Sequence, residues 1–204
     1  QGMGNVGSIT AKLLHREGMK IIAVSDVSGG IYRPEGLNVP AILDYLSLNR
    51  KNLLKDYTEE GMSRITNEEL LEMDARVLVP AALENQINAS NAHKIRAEII
   101  VEAANGPVAA DADEILRDRG ITVVPDILAN AGGVVVSYFE WVQNIQSVSW
   151  TEEEVNEKLK DIMDPAFEAV WDISQKQNAT MRTGAYLIAV KRVVEAKAAR
   201  AIWP

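Results

Sequence analysis

The stretch Gly2-Met3-Gly4-Asn5-Val6-Gly7, followed at some distance by Ile21-Ile22-Ala23-Val24-Ser25-Asp26, decides the fold. The glycines stand at G-x-G-x-x-G spacing, and behind them Val6, Ile9, Leu13 and Leu14 share one helical face. Gly18 sits where a helix end takes a residue at positive φ, so the helix is predicted to stop near Glu17. The apolar run 21–24 suits a strand covered on both faces, which Ser25 and Asp26 close. A glycine turn, a helix, a strand and an acid nineteen positions after Gly7 form the pattern of a dinucleotide-binding unit. Gly2 and Gly4 permit a tight turn and close backbone approach to a pyrophosphate seated on the helix N-terminus, and Gly7 lets the helix pack closely. A carboxylate at Asp26 accepts from a ribose 2′-hydroxyl and repels a 2′-phosphate, and neutral Val27 and Ser28 add no cation. NAD is therefore favoured over NADP, with Arg33 close enough in sequence to leave NADP open.

Working outward, Val77-Leu78-Val79, Ile99-Ile100-Val101 and Ile121-Thr122-Val123-Val124 repeat the buried-strand character, with helix signals between them. Thr66 with Glu69 is a capping-box pair, and 111–119 reads as a helix stopped by Gly120. Strands alternating with helices predict an α/β fold, a Rossmann-type doubly wound and mostly parallel sheet, from which the strand before Gly2 is expected to be absent in this chain. Strand signals stop near residue 130. Thr151 and Glu154 form another capping box, and Val155, Leu159, Ile162, Ala166, Val170 and Ile173 describe one long amphipathic helix. Leu187, Val190 and Val194 mark a second. A dinucleotide-binding domain over 1–145 and C-terminal helices over 146–204 is the expected division.

Composition narrows the function. The 204 residues are 47% apolar and 25% charged, ordinary for a globular chain, and 21 basic against 29 acidic residues leave a net charge of −8. That field repels nucleic acid and anionic lipid, so neither is an expected partner. There is no cysteine and no apolar run of about 18 residues, and the expectation is a chain with no signal peptide and no membrane span, in the cytoplasm. His15 and His93 have no neighbours at ligand spacing, so no metal site is expected.

Three loops fall where a doubly wound sheet places its ligand: 80–86 with Ala81 and Ala82, 102–107 with Asn105, and 125–133 with Asn130. Small residues there let a flat ring approach the backbone while the amides reach sugar hydroxyls or a carboxamide. The glycine string, Val24-Ser25-Asp26, the run 80–87, Ala104-Asn105-Gly106-Pro107, the run from Pro125 through Ser137-Tyr138-Phe139-Glu140-Trp141, Arg182-Thr183-Gly184-Ala185-Tyr186 and the closing Ala201-Ile202-Trp203-Pro204 together resemble the cofactor-binding part of glutamate dehydrogenase. Leucine, valine and phenylalanine dehydrogenases are similar in the glycine loop but differ around the Ala-Asn and Ser-Tyr-Phe-Glu-Trp stretches.

The resemblance implies reversible oxidative deamination of L-glutamate to 2-oxoglutarate and ammonia. It implies that Gly2, Gly4, Asn5, Val6 and Gly7 hold the pyrophosphate and Asp26 the adenosine ribose. Ala81 and Ala82 lie in the cofactor-facing loop, and Asn105 and Asn130 stand near the nicotinamide and its ribose. Ser137 helps hold the substrate's side-chain carboxylate. Val135 stands where the family commonly has threonine, and Gly184 where it often has alanine. The acid–base lysines and aspartate of this family belong to an N-terminal substrate domain, so no catalytic residue is expected in this chain. The chain, which meets the glycine loop at once after Gln1, reads as the C-terminal part of a homo-oligomeric enzyme, a hexamer by resemblance. It is expected to be inactive alone. A branched-chain or aromatic amino-acid dehydrogenase, and a non-catalytic dinucleotide-binding module, are the alternatives.

Overall fold

A computed structural model of the chain describes residues 1–200, so the closing stretch 201–204 lies outside the described residues. The chain divides into two compact units, the first running from Gln1 to Thr122 and the second starting at Val123.

In the first unit, α1 (Asn5–Arg16) ends at Glu17, with Gly18 at φ +82° as its spacing predicts. Leu14 faces inward beside Gly7, Thr10 and Ala11, while Val6, Ile9 and Leu13 are each about half exposed, so part of the apolar stripe faces out. Then follow β1 (Ala23–Asp26), β2 (Gly29–Tyr32) and, after α2 (Val39–Leu48), β3 (Ser63–Ile65). These pair antiparallel in the order β1-β2-β3, with Asp26 opposite Gly29. The strand expected over residues 21–24, among parallel neighbours, thus pairs antiparallel with its sequence neighbour across the tight turn between Asp26 and Gly29, although glycines are poor strand formers. Gly30 is glycine for a local reason, since a Cβ there would stand 2.8 Å from the Ile65 side chain. Val24, Ile31, Leu37, Ile42, Leu54 and Tyr57 pack as the core of this sheet.

The predicted parallel strands appear as β4 (Val77–Leu78), β5 (Ile99–Val101) and β6 (Thr122–Val124), ordered β4-β5-β6, with β4 and β5 in parallel register. Between β3 and β4 lies α3 (Asn67–Leu71), closed by the Thr66–Glu69 capping box, and between β5 and β6 lies α4 (Ala110–Asp118), followed by Gly120 at φ +75°. Gln1 and Gly2 bond to both sheets. The Gly2 N–H donates to Ser25 O at 2.9 Å, the Gln1 nitrogen to Val79 O at 2.9 Å, and the Ala81 N–H to Gln1 O at 2.8 Å. A cavity of about 570 Å³ lies between segments 21–25 and 75–79, bordered by Gly7, Ala11 and Leu14 of α1.

The second unit holds α5 (Asp126–Ala129), α6 (Gly132–Gln146), α7 (Glu152–Gln177) and α8 (Met181–Arg200). The Thr151–Glu154 capping box opens α7, and Asn178 ends it in the left-handed conformation. Leu128, Val170, Met181 and Ala185 form the core here. Gly184 lies at the α7–α8 crossing, where an added Cβ would be 3.0 Å from Val170 O. Further along α8, Tyr186, Leu187, Val190, Val193 and Val194 are exposed. No helix among the described residues is long and apolar enough to cross a membrane.

Candidate functional site

The three motif glycines have different physical reasons. Gly2 stands at φ +89°, and a Cβ there would lie 2.9 Å from both Ala81 O and the Ala82 Cβ. Gly7 is packed harder still, since its Cβ would sit 1.7 Å from Gly2 O. Ala81 and Ala82 therefore lie directly beside the glycine turn. Gly4 differs. Its φ is −78°, open to any residue, and a Cβ there would meet nothing within 4 Å. Gly4 is also the N-cap of α1, with no side-chain cap and no acid in the first turn. The fold itself does not require glycine at this position. What a bare Cα leaves is free approach to the first amides of α1, which a helix N-terminus leaves without intrahelical partners.

Asp26, at the end of β1, is a prepared acceptor. One carboxylate oxygen accepts from the Ser28 N–H at 2.7 Å and the Ser28 hydroxyl at 2.5 Å, and the other from the Leu54 N–H at 2.7 Å. The Arg64 guanidinium donates to the carbonyls of Leu54 and Tyr57, which fixes the turn carrying that amide. Two carboxylate oxygens offer about four acceptor positions, so three donors leave room for one more. Ser28 and Leu54 were missed from sequence. The Asp-x-Ser spacing of an Asx turn was a visible signal for the first, whereas Leu54 arrives from 28 residues away.

Arg33 is occupied elsewhere. It pairs with Glu59 at 3.0 Å, and Glu59 also accepts from the Tyr57 hydroxyl at 2.8 Å and the Asn38 N–H at 3.3 Å. Burial pushes the Glu59 carboxyl up, but hydrogen bonds from Arg33, Tyr57 and Asn38 hold it below its ordinary value. Burial and the Glu59 carboxylate in turn push the Tyr57 hydroxyl up to about 12. The Arg33 guanidinium thus bonds Glu59 through Nη1.

Asn105 is exposed at the tip of the loop after β5. The N–H groups of Ala103 and Ala104 both donate to Pro80 O at 3.0 Å, and Gly106 turns the chain at φ +55°. On the far side the Asn85 N–H donates to Gly106 O at 2.8 Å and the Ile87 N–H to Pro107 O at 2.9 Å. Under this loop Glu102 is wholly buried, and its carboxylate accepts from the Val108 N–H at 3.1 Å.

The second unit carries Asn130 and Ser137. Asn130 caps α5, whose Asp126 carboxylate accepts from Arg182 of α8 at 3.1 Å and from the Ile127 N–H at 2.8 Å. Ser137 is exposed on α6, and its hydroxyl donates to Gly133 O at 2.9 Å. To meet a carboxylate its proton must rotate off that carbonyl. Trp150 packs edge-on against Phe139 at 5.7 Å, as an anchor does, while Trp141 and Trp171 are more exposed than core residues. Among the described residues no group of three or more His, Cys, Asp or Glu could hold a metal ion.

These features define an α/β protein with a glycine turn opening its first helix and a hydrogen-bonded carboxylate at the end of the following strand. The sequence model of the Glutamate/Leucine/Phenylalanine/Valine dehydrogenase family matches residues 1–201, and the chain belongs to that family. It is 50% identical over 196 residues to the catabolic NAD-specific glutamate dehydrogenase RocG of Bacillus subtilis, covering 96% of this chain and 45% of that protein. With the glutamate dehydrogenase of Thermotoga maritima it shares 52% identity over 205 residues, covering 100% of this chain and 48% of the other. The crystal structure of the hetero-hexameric glutamate dehydrogenase from Thermus thermophilus superposes with a TM-score of 0.88 at 33% identity, covering 100% of this chain and 47% of that one. The chain thus spans about half the length of the curated relatives it matches.

Proposed function

We propose that this chain is the cofactor-binding part of an NAD-dependent glutamate dehydrogenase, which converts L-glutamate reversibly to 2-oxoglutarate and ammonia. The observation that carries the proposal is Gly4, a glycine the fold does not need, at the uncapped N-terminus of α1. The half-identity with relatives named NAD-specific supports the cofactor. Gly2, Gly4, Asn5, Val6 and Gly7 would hold the pyrophosphate, Asp26 the adenosine ribose, and Asn105 and Asn130 the nicotinamide half. Ala81 and Ala82 support the turn. When bound, the nicotinamide supplies a hydride acceptor for the substrate's α-carbon, and water then releases ammonia from the resulting imine.

The chain's own residues bind and orient. Ser137 would donate to the side-chain carboxylate of glutamate, while proton transfer falls to a substrate domain elsewhere in the enzyme. Assembly as a hexamer and a cytoplasmic location belong to the same proposal, and the hexameric relative supports the first. The test is NAD and NADP reduction by the intact enzyme with glutamate, leucine or phenylalanine. Glutamate-dependent NAD reduction is expected. Preference for leucine or phenylalanine, or cofactor binding without turnover, would move the assignment to a sister dehydrogenase or to a non-catalytic module. Ser137→Ala should raise the glutamate KM and leave the NAD KM near its wild-type value, and equal changes in both would give Ser137 a packing role.

A further inference from the structure

Glu102 is the one residue of the first unit that combines an ionisable side chain with complete burial, and nothing in the proposed chemistry uses it. Burying a carboxylate is costly, and it persists where the group is held by hydrogen bonds the fold needs. Its place is specific. Glu102 follows β5 directly, and its carboxylate accepts from the Val108 N–H at 3.1 Å, spanning the base of the loop that carries Asn105. The loop's outer faces are already bonded to Pro80 O and to the amides of Asn85 and Ile87. Glu102 closes it from within, under buried Pro107 and Val108.

We infer that Glu102 is a positioning residue that sets the height and angle of Asn105 toward the nicotinamide half of the dinucleotide. This rests on the cofactor assignment above. The task falls to the Glu102 oxygen that accepts from the Val108 N–H, and in a glutamine of the same shape an NH2 donor replaces one of the two side-chain oxygens. Asn105 touches the ligand in this proposal, and Glu102 acts through it.

The experiment uses the intact enzyme and two probes, NAD and ADP-ribose, the latter lacking the nicotinamide ring. In Glu102→Gln, kcat with NAD should fall roughly 10- to 100-fold, the scale of a small misplacement near the reacting atoms, while ADP-ribose affinity stays within about twofold. In an Asn105→Ala background the same substitution should have little further effect, because the two residues act as one unit. Glu102→Asp, which keeps the charge on a shorter stem, should recover part of kcat and serves where Glu102→Gln fails to fold. Equal losses for NAD and ADP-ribose, or additive effects of Glu102→Gln and Asn105→Ala, would overturn the inference. Wild-type enzyme that binds neither probe would instead overturn the cofactor assignment itself.

Discussion

The glycine turn of the first unit and the α7–α8 helix pair of the second are both glycine-dependent, yet they are determined to different degrees. In the turn, a Cβ on Gly7 would lie 1.7 Å from a backbone oxygen, a distance no side-chain adjustment relieves. At the helix crossing, a Cβ on Gly184 would lie 3.0 Å from Val170 O and 3.1 Å from Ile173 Cγ2, which a shift of a few tenths of an ångström accommodates. A turn is set by neighbours a few residues away, whose positions covalent geometry limits. A helix crossing can slide. The same glycine letter therefore carries strong information in the first place and weak information in the second.

The sharpest way to break this comparison is Gly7→Ala, which should destabilise the intact protein by at least about 3 kcal/mol in urea titration, at the upper end of overpacking costs. Gly4→Ala is its partner. It should cost less than about 1 kcal/mol, an N-cap effect, yet weaken NAD at least about tenfold, or about 1.4 kcal/mol. If both variants lost stability alike, the distinction between a structural and a ligand-facing glycine would fall.

Next in size is Asp26→Ser, which removes the acceptor of three donors, two of them backbone amides. A loss of about 2–3 kcal/mol of stability is expected, together with a shift of cofactor preference from NAD toward NADP in binding titrations. Unchanged preference would make Asp26 a loop organiser alone.

Arg33→Met should cost about 1–2 kcal/mol at pH 7, since it removes a charged hydrogen bond to Glu59. The sign of its pH dependence follows from the depressed Glu59 carboxyl. Such a group contributes stability above its ordinary value of 4.5 and loses it as pH falls through the lower folded value. The gap between wild type and Arg33→Met should therefore be full at neutral pH and close below about 4.5. A gap that widened in acid would show that the Arg33–Glu59 pair does not stabilise the fold through the ionised carboxylate.

The smallest effect belongs to Gly184→Ala, where the helix-propensity gain of about 1 kcal/mol opposes the tight contact, leaving stability within about 1 kcal/mol of wild type. A large loss would mean that the crossing is as rigid as the glycine turn.

Several features were legible from residues alone because short-range geometry decides them. The glycine spacing placed α1, and both capping boxes formed between the residues that spelled them. Continuous apolar runs marked β4, β5 and β6, and Gly18 and Gly120 took the positive φ that their positions required. Other features depended on chain segments far apart in sequence. The antiparallel β1-β2-β3 sheet, the Leu54 amide on Asp26 and the capture of Arg33 by Glu59 all join residues that no local pattern links. The same holds for the outward turn of Val6, Ile9 and Leu13, since periodicity defines an apolar stripe but not what covers it. Hydrogen bonding within a turn is decided by a few dihedral angles, and sequence carries it. Pairing across tens of residues is decided by competition among all available partners, and the folded structure alone records the outcome.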